Sequence, residues 1–200
     1  MTKAKLPTNL VKHTNRNPLQ QLLIKNFFSS LISLVKPLRI ESILDAGCGE
    51  GFTMDKLSRQ KLVKKIEGIE YSKEVVSLGK DMFPDLNIKQ ADIYDLPYKN
   101  GSFDLIICTE VLEHLDNPQK ALEEMLRATK RYLILSVPNE PFFMLSNFLR
   151  GKNLSRWGND MDHVNHWGRF SFKSFLKKNE IKIMQMKFPF PWIIVLAEKS

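Results

Sequence analysis

The chain has 200 residues, 43% of them hydrophobic and 26% charged, which is the length of one typical domain and the composition of a globular protein with a sizeable core. No apolar run approaches the ~20 residues of a membrane-spanning helix. The polar, basic start MTKAKLPTNLVKHTNRNP lacks the apolar centre of a secretory signal, so a cytoplasmic location is expected. The formal net charge is +8, with lysines clustered in KLSRQKLVKK (56–65) and KSFLKKNEIK (173–182). These read as solvated helix faces, with attraction to an anionic partner as the alternative. Cys48 and Cys108 form neither a CxxC pair nor a disulfide framework, and they suit a reducing compartment in which thiols act as small hydrophobes.

Residues 1–16 read as a loose arm. NPLQQLLIKNFFSSLISLVKP (17–37) carries Leu19, Leu22, Leu23, Phe27, Leu31, Leu34 and Val35 at helical spacing. Asn17 is placed to cap that helix, Pro18 suits its first turn and Pro37 its end. Alternation follows. Residues 41–46 predict a strand, 51–60 a helix and 64–70 a strand. Residues 72–83 predict a helix capped by Ser72 and stopped at Pro84, followed by a strand over 86–91. SFDLIICT (102–109) is apolar enough for the centre of a sheet. NPQKALEEMLRATK (117–130) is a surface helix, and RYLILSVP (131–138) a buried strand. This rhythm predicts an α/β fold: a Rossmann-like, mostly parallel sheet, helices on both faces and right-handed crossovers. After Pro138 the rhythm breaks into a stretch rich in aromatics, Asn, His and Gly (139–170), read as a substrate lid. A helix over 171–179 and two strands around PFP (189–191) close the chain as an antiparallel pair. The whole, 1–200, reads as one domain.

ILDAGCGEGF (43–52) holds the chemistry. In open α/β sheets ligands sit at the carboxyl ends of the strands, and glycines there let a ligand approach the backbone. The loop follows a strand that ends with Asp45, and it opens a helix. A dinucleotide loop, G-x-G-x-x-G, would place its third glycine at position 52, which is Phe52. The Gly-Lys-Ser/Thr of a phosphate-binding P-loop is absent. The observed spacing is Gly47, Gly49, Gly51.

With these residues the chain resembles the class I S-adenosylmethionine-dependent methyltransferases, in their methyltransferase type 11-like, small-molecule branch. ILDAGCGEG looks like the family's glycine-rich motif, IEGIEYS (66–72) like its second-strand motif, KQADIYDLPY (89–98) like its third and FDLIICTEVLEHL (103–115) like its fourth, all in order over about residues 41–138. The resemblance implies S-adenosyl-L-methionine as cofactor. It implies Glu70 on the ribose hydroxyls, Asp92 and Ile93 on the adenine, and Gly47 and Thr109 at the methionine end. Asp45, Cys48, Gly49, Tyr71 and Glu110 complete the expected cofactor-binding set. One carboxylate accepting two hydrogen bonds is a sound holder of two ribose hydroxyls.

TEVLEHLDN (109–117) offers a further constellation. On a helical turn Glu110, Glu113 and His114 would share a face. Some relatives, including ubiquinone-type O-methyltransferases and small-RNA end methyltransferases, resemble this E-x-x-E-H pattern and hold a divalent metal with it, and Asp162, His163 and His166 in DMDHVNHWGRF (160–170) are a further ligand source. The metal set Glu110, Glu113 and His114 is the alternative; the reading adopted uses no metal, with Glu110 near the methionine end and His114 and His163 as the candidate bases or acceptor contacts. The Asn/Asp-Pro-Pro-aromatic motif of nucleic-base methyltransferases is absent after the fourth strand; NEPF (139–142) echoes it after the wrong strand and with Glu140 in place of the first proline.

The stretch 140–160 joins Phe142, Phe143, Leu145, Phe148 and Leu149 to Arg150, Lys152 and Arg156. It is read as walling an apolar acceptor or touching a membrane surface, or else as simple packing on the sheet edge. The N-terminal helix is expected over the same side. The implied activity is methyl transfer at O, N or C of a small-molecule or lipid-like acceptor. An RNA or protein methyltransferase, favoured only by the charge, and a non-catalytic cofactor-binding scaffold are the alternatives.

Overall fold

The computed structural model describes residues 10, 13–15, 17–140, 142–149 and 162–199. In chain order the elements are α1 (Pro18–Val35), β1 (Ser42–Ala46), α2 (Phe52–Ser58), β2 (Lys65–Glu70), α3 (Lys73–Met82), β3 (Asn87–Gln90) and β4 (Phe103–Thr109). A 3-10 turn (Leu112–His114), α4 (Pro118–Ala128), β5 (Thr129–Pro138), α5 (Phe142–Leu149), α6 (Arg169–Lys178), β6 (Lys182–Lys187) and β7 (Trp192–Glu198) follow.

Local chemistry sets the helix starts. The Asn17 side chain accepts the N–H groups of Leu19 at 2.9 Å and Gln20 at 3.3 Å, with Pro18 in the first turn. Ser72 Oγ accepts from Val75 N–H at 3.3 Å, and Asn117 from Lys120 N–H at 3.1 Å. α6 begins two residues before the expected Ser171, because Ser171 Oγ reaches back to accept the Gly168 N–H at 2.9 Å and thereby closes the first turn.

The seven strands form one sheet in the order β3-β2-β1-β4-β5-β7-β6. β1 runs parallel to β2 and β4, β2 to β3, and β4 to β5, whereas β7 is antiparallel to both β5 and β6. The antiparallel pair is thus as expected, and β7 lies inside it. WIIVLAE is buried along almost its whole length, while KIMQMK is half exposed and takes the edge, where polar side chains keep their water.

Central strands are buried on both faces, as near-continuous apolar runs require. On β4, Leu105 and Ile107 face one layer with Ile43, Ile134 and Ile194, covered by Ile24, Phe27, Phe28, Leu31, Leu34 and Val35 of α1. Ile106 and Cys108 face the other layer with Leu133 and Leu135, covered by Ala121, Leu122 and Met125 of α4 and Phe172 and Leu176 of α6. No helix among the described residues is long and apolar enough to cross a membrane.

The segment read as an irregular lid holds a helix, α5, whose Phe142, Leu145 and Phe148 are exposed. Arg150, Lys152 and Arg156 lie outside the described residues.

Candidate functional site

β1 is flanked by β2 on one side and β4 on the other, so successive crossovers diverge at its carboxyl end and open a crevice there. The glycine loop fills this point. Gly47 and Cys48 both donate their N–H groups to Ile69 O at 2.9 Å, which ties the loop to β2. Gly47 has φ +79°, and a Cβ there would stand 2.6 Å from Val111 Cγ2. Glycine is therefore required twice over, by backbone conformation and by space.

Glu70 ends β2 with both oxygens held. Oε2 accepts the Gly49 N–H at 3.2 Å and Oε1 the Ser72 N–H at 2.9 Å. A carboxylate has about four lone-pair directions, so two acceptor positions remain for a diol. After β3, Asp92 Oδ1 accepts the Tyr94 N–H at 2.8 Å, and Ile93 beside it is buried. Thr109 ends β4. Glu110 follows with φ 58°, rare for a residue with a side chain. Its N–H donates to Ser136 O at 3.2 Å, and Ser136 Oγ donates to Glu110 Oε1 at 3.1 Å. Tyr71 is 73% exposed, and Cys48 is buried against Gly68, at which an added Cβ would lie 2.7 Å from its Sγ. Burial pushes the Cys48 and Cys108 thiols well up, so both are inert thiols at neutral pH.

Asp45 is 1% exposed, and neither of its carboxylate oxygens makes a hydrogen bond with the described residues. Burial, and secondarily the charge of Glu70, raise its pKa to about 7. Glu50 in the loop is buried as well, and burial raises its pKa. Its Oε1 accepts the Leu10 N–H at 3.3 Å.

A cleft adjoins the loop. Its lining includes Gly47, Cys48, Thr109 and Glu110 from the strand ends, Ile24, Phe27 and Phe28 from α1, and Trp192 from β7. His13, Glu50, Phe52 and Thr53 complete it. α1 therefore contributes to the cleft, whereas no described residue of the 140–160 stretch lines it. Glu70 and Asp92 lie outside this lining, on the β2–β3 side of the loop, so the site extends from the cleft along the ends of β2 and β3. His13, Glu50, Phe52 and Trp192 are lining residues that motif reasoning passed over. Their one legible signal was the position of Glu50 and Phe52 within the glycine loop and helix start. His13 and Trp192 come from the two ends of the chain and join only by folding.

The expected face of Glu110, Glu113 and His114 is not formed. Helical geometry spans only Leu112–His114, and the left-handed backbone of Glu110 turns it toward β5. Instead Glu113, His114 and His163 bring one ligand atom each within 4.8 Å of one another. His114 Nδ1 lies 2.7 Å from Asp162 O, an acceptor, so Nδ1 carries the proton and Nε2 would be the nitrogen offered to a metal. The two imidazoles meet edge to face at 5.0 Å, and His163 Nδ1 lies 3.5 Å from Glu140 Oε1. His166 Nδ1 is 4.0 Å from the same oxygen. One carboxylate and two imidazoles are a donor set for zinc, manganese or ferrous iron. None of the three residues lines the cleft.

The fold and this crevice define a Rossmann-like protein with a glycine loop at the carboxyl ends of β1, β2 and β4. Comparison with known proteins takes the class further. Residues 44–135 match a family model described as a methyltransferase domain. The mitochondrial ubiquinone biosynthesis O-methyltransferase of Saccharomyces cerevisiae is 29% identical over 160 residues, 64% of this chain and 49% of that protein. Among solved structures, an S-adenosylmethionine-dependent methyltransferase from Aquifex aeolicus has a TM-score of 0.70 at 18% identity, covering 98% of this chain and 100% of that one. The magnesium protoporphyrin IX methyltransferase of Synechocystis PCC 6803, solved with bound SAH, has a TM-score of 0.68 at 18% identity, covering 96% and 92%. The chain spans about half or less of the length of the curated relatives it matches. These similarities support an S-adenosylmethionine-dependent methyltransferase, with S-adenosyl-L-methionine as the cofactor.

Proposed function

We propose that the chain transfers a methyl group from S-adenosyl-L-methionine to a small apolar acceptor bound in the cleft between the glycine loop and α1. The observation that carries this reading is the cleft itself. It brings Gly47, Thr109 and Glu110 together with the aromatic rings of Phe27, Phe28, Phe52 and Trp192 in one lining. The residues present fit the cofactor. Glu70, fixed by two backbone N–H groups, accepts from the ribose hydroxyls, and Asp92 accepts from the adenine amino group beside the apolar wall of Ile93. Gly47 and Gly49 give a bare backbone to the methionine end, with Thr109 and Glu110 across from it.

The bound cofactor supplies a methyl group on a positively charged sulfur, which is open to in-line displacement. What the protein adds is placement of the acceptor atom and exclusion of water; orientation of this kind supplies on the order of 7–11 kcal/mol in favourable cases. Ile24, Phe27 and Phe28 of α1 and Trp192 supply the apolar part of the cleft lining. The small-molecule acceptors in the names of the ubiquinone and protoporphyrin enzymes support the class of substrate.

Calorimetric titration with S-adenosylmethionine, S-adenosylhomocysteine and NAD tests the cofactor, with binding of the first two and not the third expected. Incubating the protein with methyl-labelled cofactor and a cell extract then tests the acceptor. Label entering an organic-soluble small molecule supports the reading. Label entering RNA or protein overturns it, and binding without any transfer points to the scaffold alternative.

A further inference from the structure

We propose that the protein docks on an anionic lipid bilayer with the β5–β7–β6 half of the carboxyl end of its sheet, through aromatic side chains of α5, α6 and the β6–β7 turn and the cations beside them. The inference goes beyond methyl transfer and does not depend on it.

The topology brings these elements together. β5 ends at Pro138, which pairs in register with Trp192, where β7 begins. The β6–β7 turn therefore stands at the same end of the sheet as the glycine loop. α5 follows β5 at that end, and the Glu140 N–H donates to Trp167 O at 2.8 Å, which brings the start of α6 beside it. Among the described residues, the exposed large hydrophobic side chains gather at this end, with Met184 on β6 the exception. Phe170, at the head of α6, is 84% exposed, and Phe142, Leu145, Phe188 and Phe190 are exposed with it. The rings of Phe142 and Phe190 lie 6.4 Å apart, so α5 and the turn form one surface. An apolar patch of this kind on a globular protein marks a docking face. Phe190 is two residues from Trp192, and Leu22, also exposed, is two from Ile24; both Trp192 and Ile24 line the cleft, so the docking face adjoins it.

Charge selects the occupant. The sequences of α5, α6 and the turn, FFMLSNFL, RFSFKSFLKK and KFPFP, hold no acid. The Arg169 guanidinium lies over the Phe188 ring, 4.5 Å from its centroid, so cation and ring would enter the headgroup layer as a pair. Lys173, one turn on, and Lys25 of α1 are exposed, and Lys187 Nζ donates to Ser33 Oγ at 2.6 Å. The Glu140 side chain, just ahead of α5, is buried. Asp162 lies beside His114, and Glu70, Asp92 and Asp95 stand on the far, β2–β3 side. Aromatic side chains with cations around them fit acyl chains beneath anionic headgroups. A second copy of the chain fits worse, because a two-fold interface sets a patch against itself and would here oppose cation to cation.

The test is flotation of the full chain with vesicles of phosphatidylcholine, and with vesicles of phosphatidylcholine mixed with phosphatidylglycerol. Binding to the mixed vesicles is expected, falling as salt is added, and at least about tenfold weaker binding to phosphatidylcholine alone. Phe142→Ser combined with Phe170→Ser should weaken binding to the mixed vesicles by at least about tenfold. Arg169→Glu combined with Lys173→Glu should weaken it by at least about tenfold too, and acids in the first turns of a helix do not oppose the helix. Met184→Ser should bind as the wild type does. Melting curves confirm that each variant is folded. Failure of the wild type to bind the mixed vesicles, or undiminished binding by either double variant, overturns the proposal. A dimer in sedimentation equilibrium that Phe142→Ser with Phe170→Ser dissociates also overturns it, and makes a second copy the occupant.

Discussion

Gly49 donates its backbone N–H to Glu70 Oε2 at 3.2 Å, so the loop after β1 and the acid that ends β2 are locked together before any ligand arrives. Glu70 thereby serves two purposes: it shapes the glycine loop and presents its remaining lone pairs to the crevice. Glu70→Ala should lose both. Hydrogen bonds to a charged group are worth roughly 1.5–3 kcal/mol each, so cofactor affinity should fall by at least about tenfold. Glu70→Gln keeps an acceptor and should fall less. Calorimetry on both variants, with melting curves to confirm that they are folded, checks this. Wild-type affinity in Glu70→Ala would remove Glu70 from the binding set.

Gly47 is held by conformation and by its neighbour. Gly47→Ala should destabilise the protein by about 1–3 kcal/mol, because a side chain is forced into the left-handed region and against Val111. Adding Val111→Ala relieves the contact and leaves the backbone strain. The double variant should therefore recover part of the loss. Denaturant titrations of the four proteins give the coupling, and strict additivity would show that the contact contributes nothing.

Asp45 makes stability depend on pH. Its folded pKa of about 7 lies above the ordinary 3.8, so between those values the folded state holds a proton that the unfolded state has released. Raising pH across this window lowers stability, by on the order of a few kcal/mol once pH passes 7. Asp45→Asn should flatten that slope, though not abolish it, since burial raises Glu50 as well. Thermal melts of the cofactor-free protein at pH 5 and pH 8 measure the difference. An identical slope in both proteins would show that Asp45 does not titrate in this range.

The Glu113, His114 and His163 group predicts metal binding with a definite residue dependence. Zn²⁺ or Mn²⁺ in hundredfold excess over its dissociation constant should stabilise the wild type by about 2.7 kcal/mol, read as a rise in melting temperature. Glu113→Gln and His163→Asn should lose that rise. Glu110→Gln should keep it, since Glu110 is bonded to Ser136 on β5 and not part of the group. Loss in Glu110→Gln with retention in His163→Asn would restore the helix-face arrangement that the sequence pattern suggested.

Much of the protein is determined locally. Asn17, Ser72 and Asn117 start their helices because a short polar side chain satisfies nearby N–H groups wherever the chain folds. The apolar runs over 102–109 and 131–138 belong in the centre of a sheet because both of their faces need burial. The glycine spacing and the acids at strand ends are likewise local, and with them the cofactor class was legible. What only the tertiary structure decided depends on long-range packing. The Glu110 backbone is bent into a left-handed conformation that no helical spacing predicts, which exchanges Glu110 for His163 in the cluster with Glu113 and His114. His13 and Trp192 come to share one cleft because α1 packs on the face of the sheet that Trp192 of β7 shares, the helix closing over strands that lie far from it in sequence. A motif records which side chains a turn can present. Which of them meet across the sheet is set by strand order and by how the arm folds back, and neither is written in any single stretch of residues.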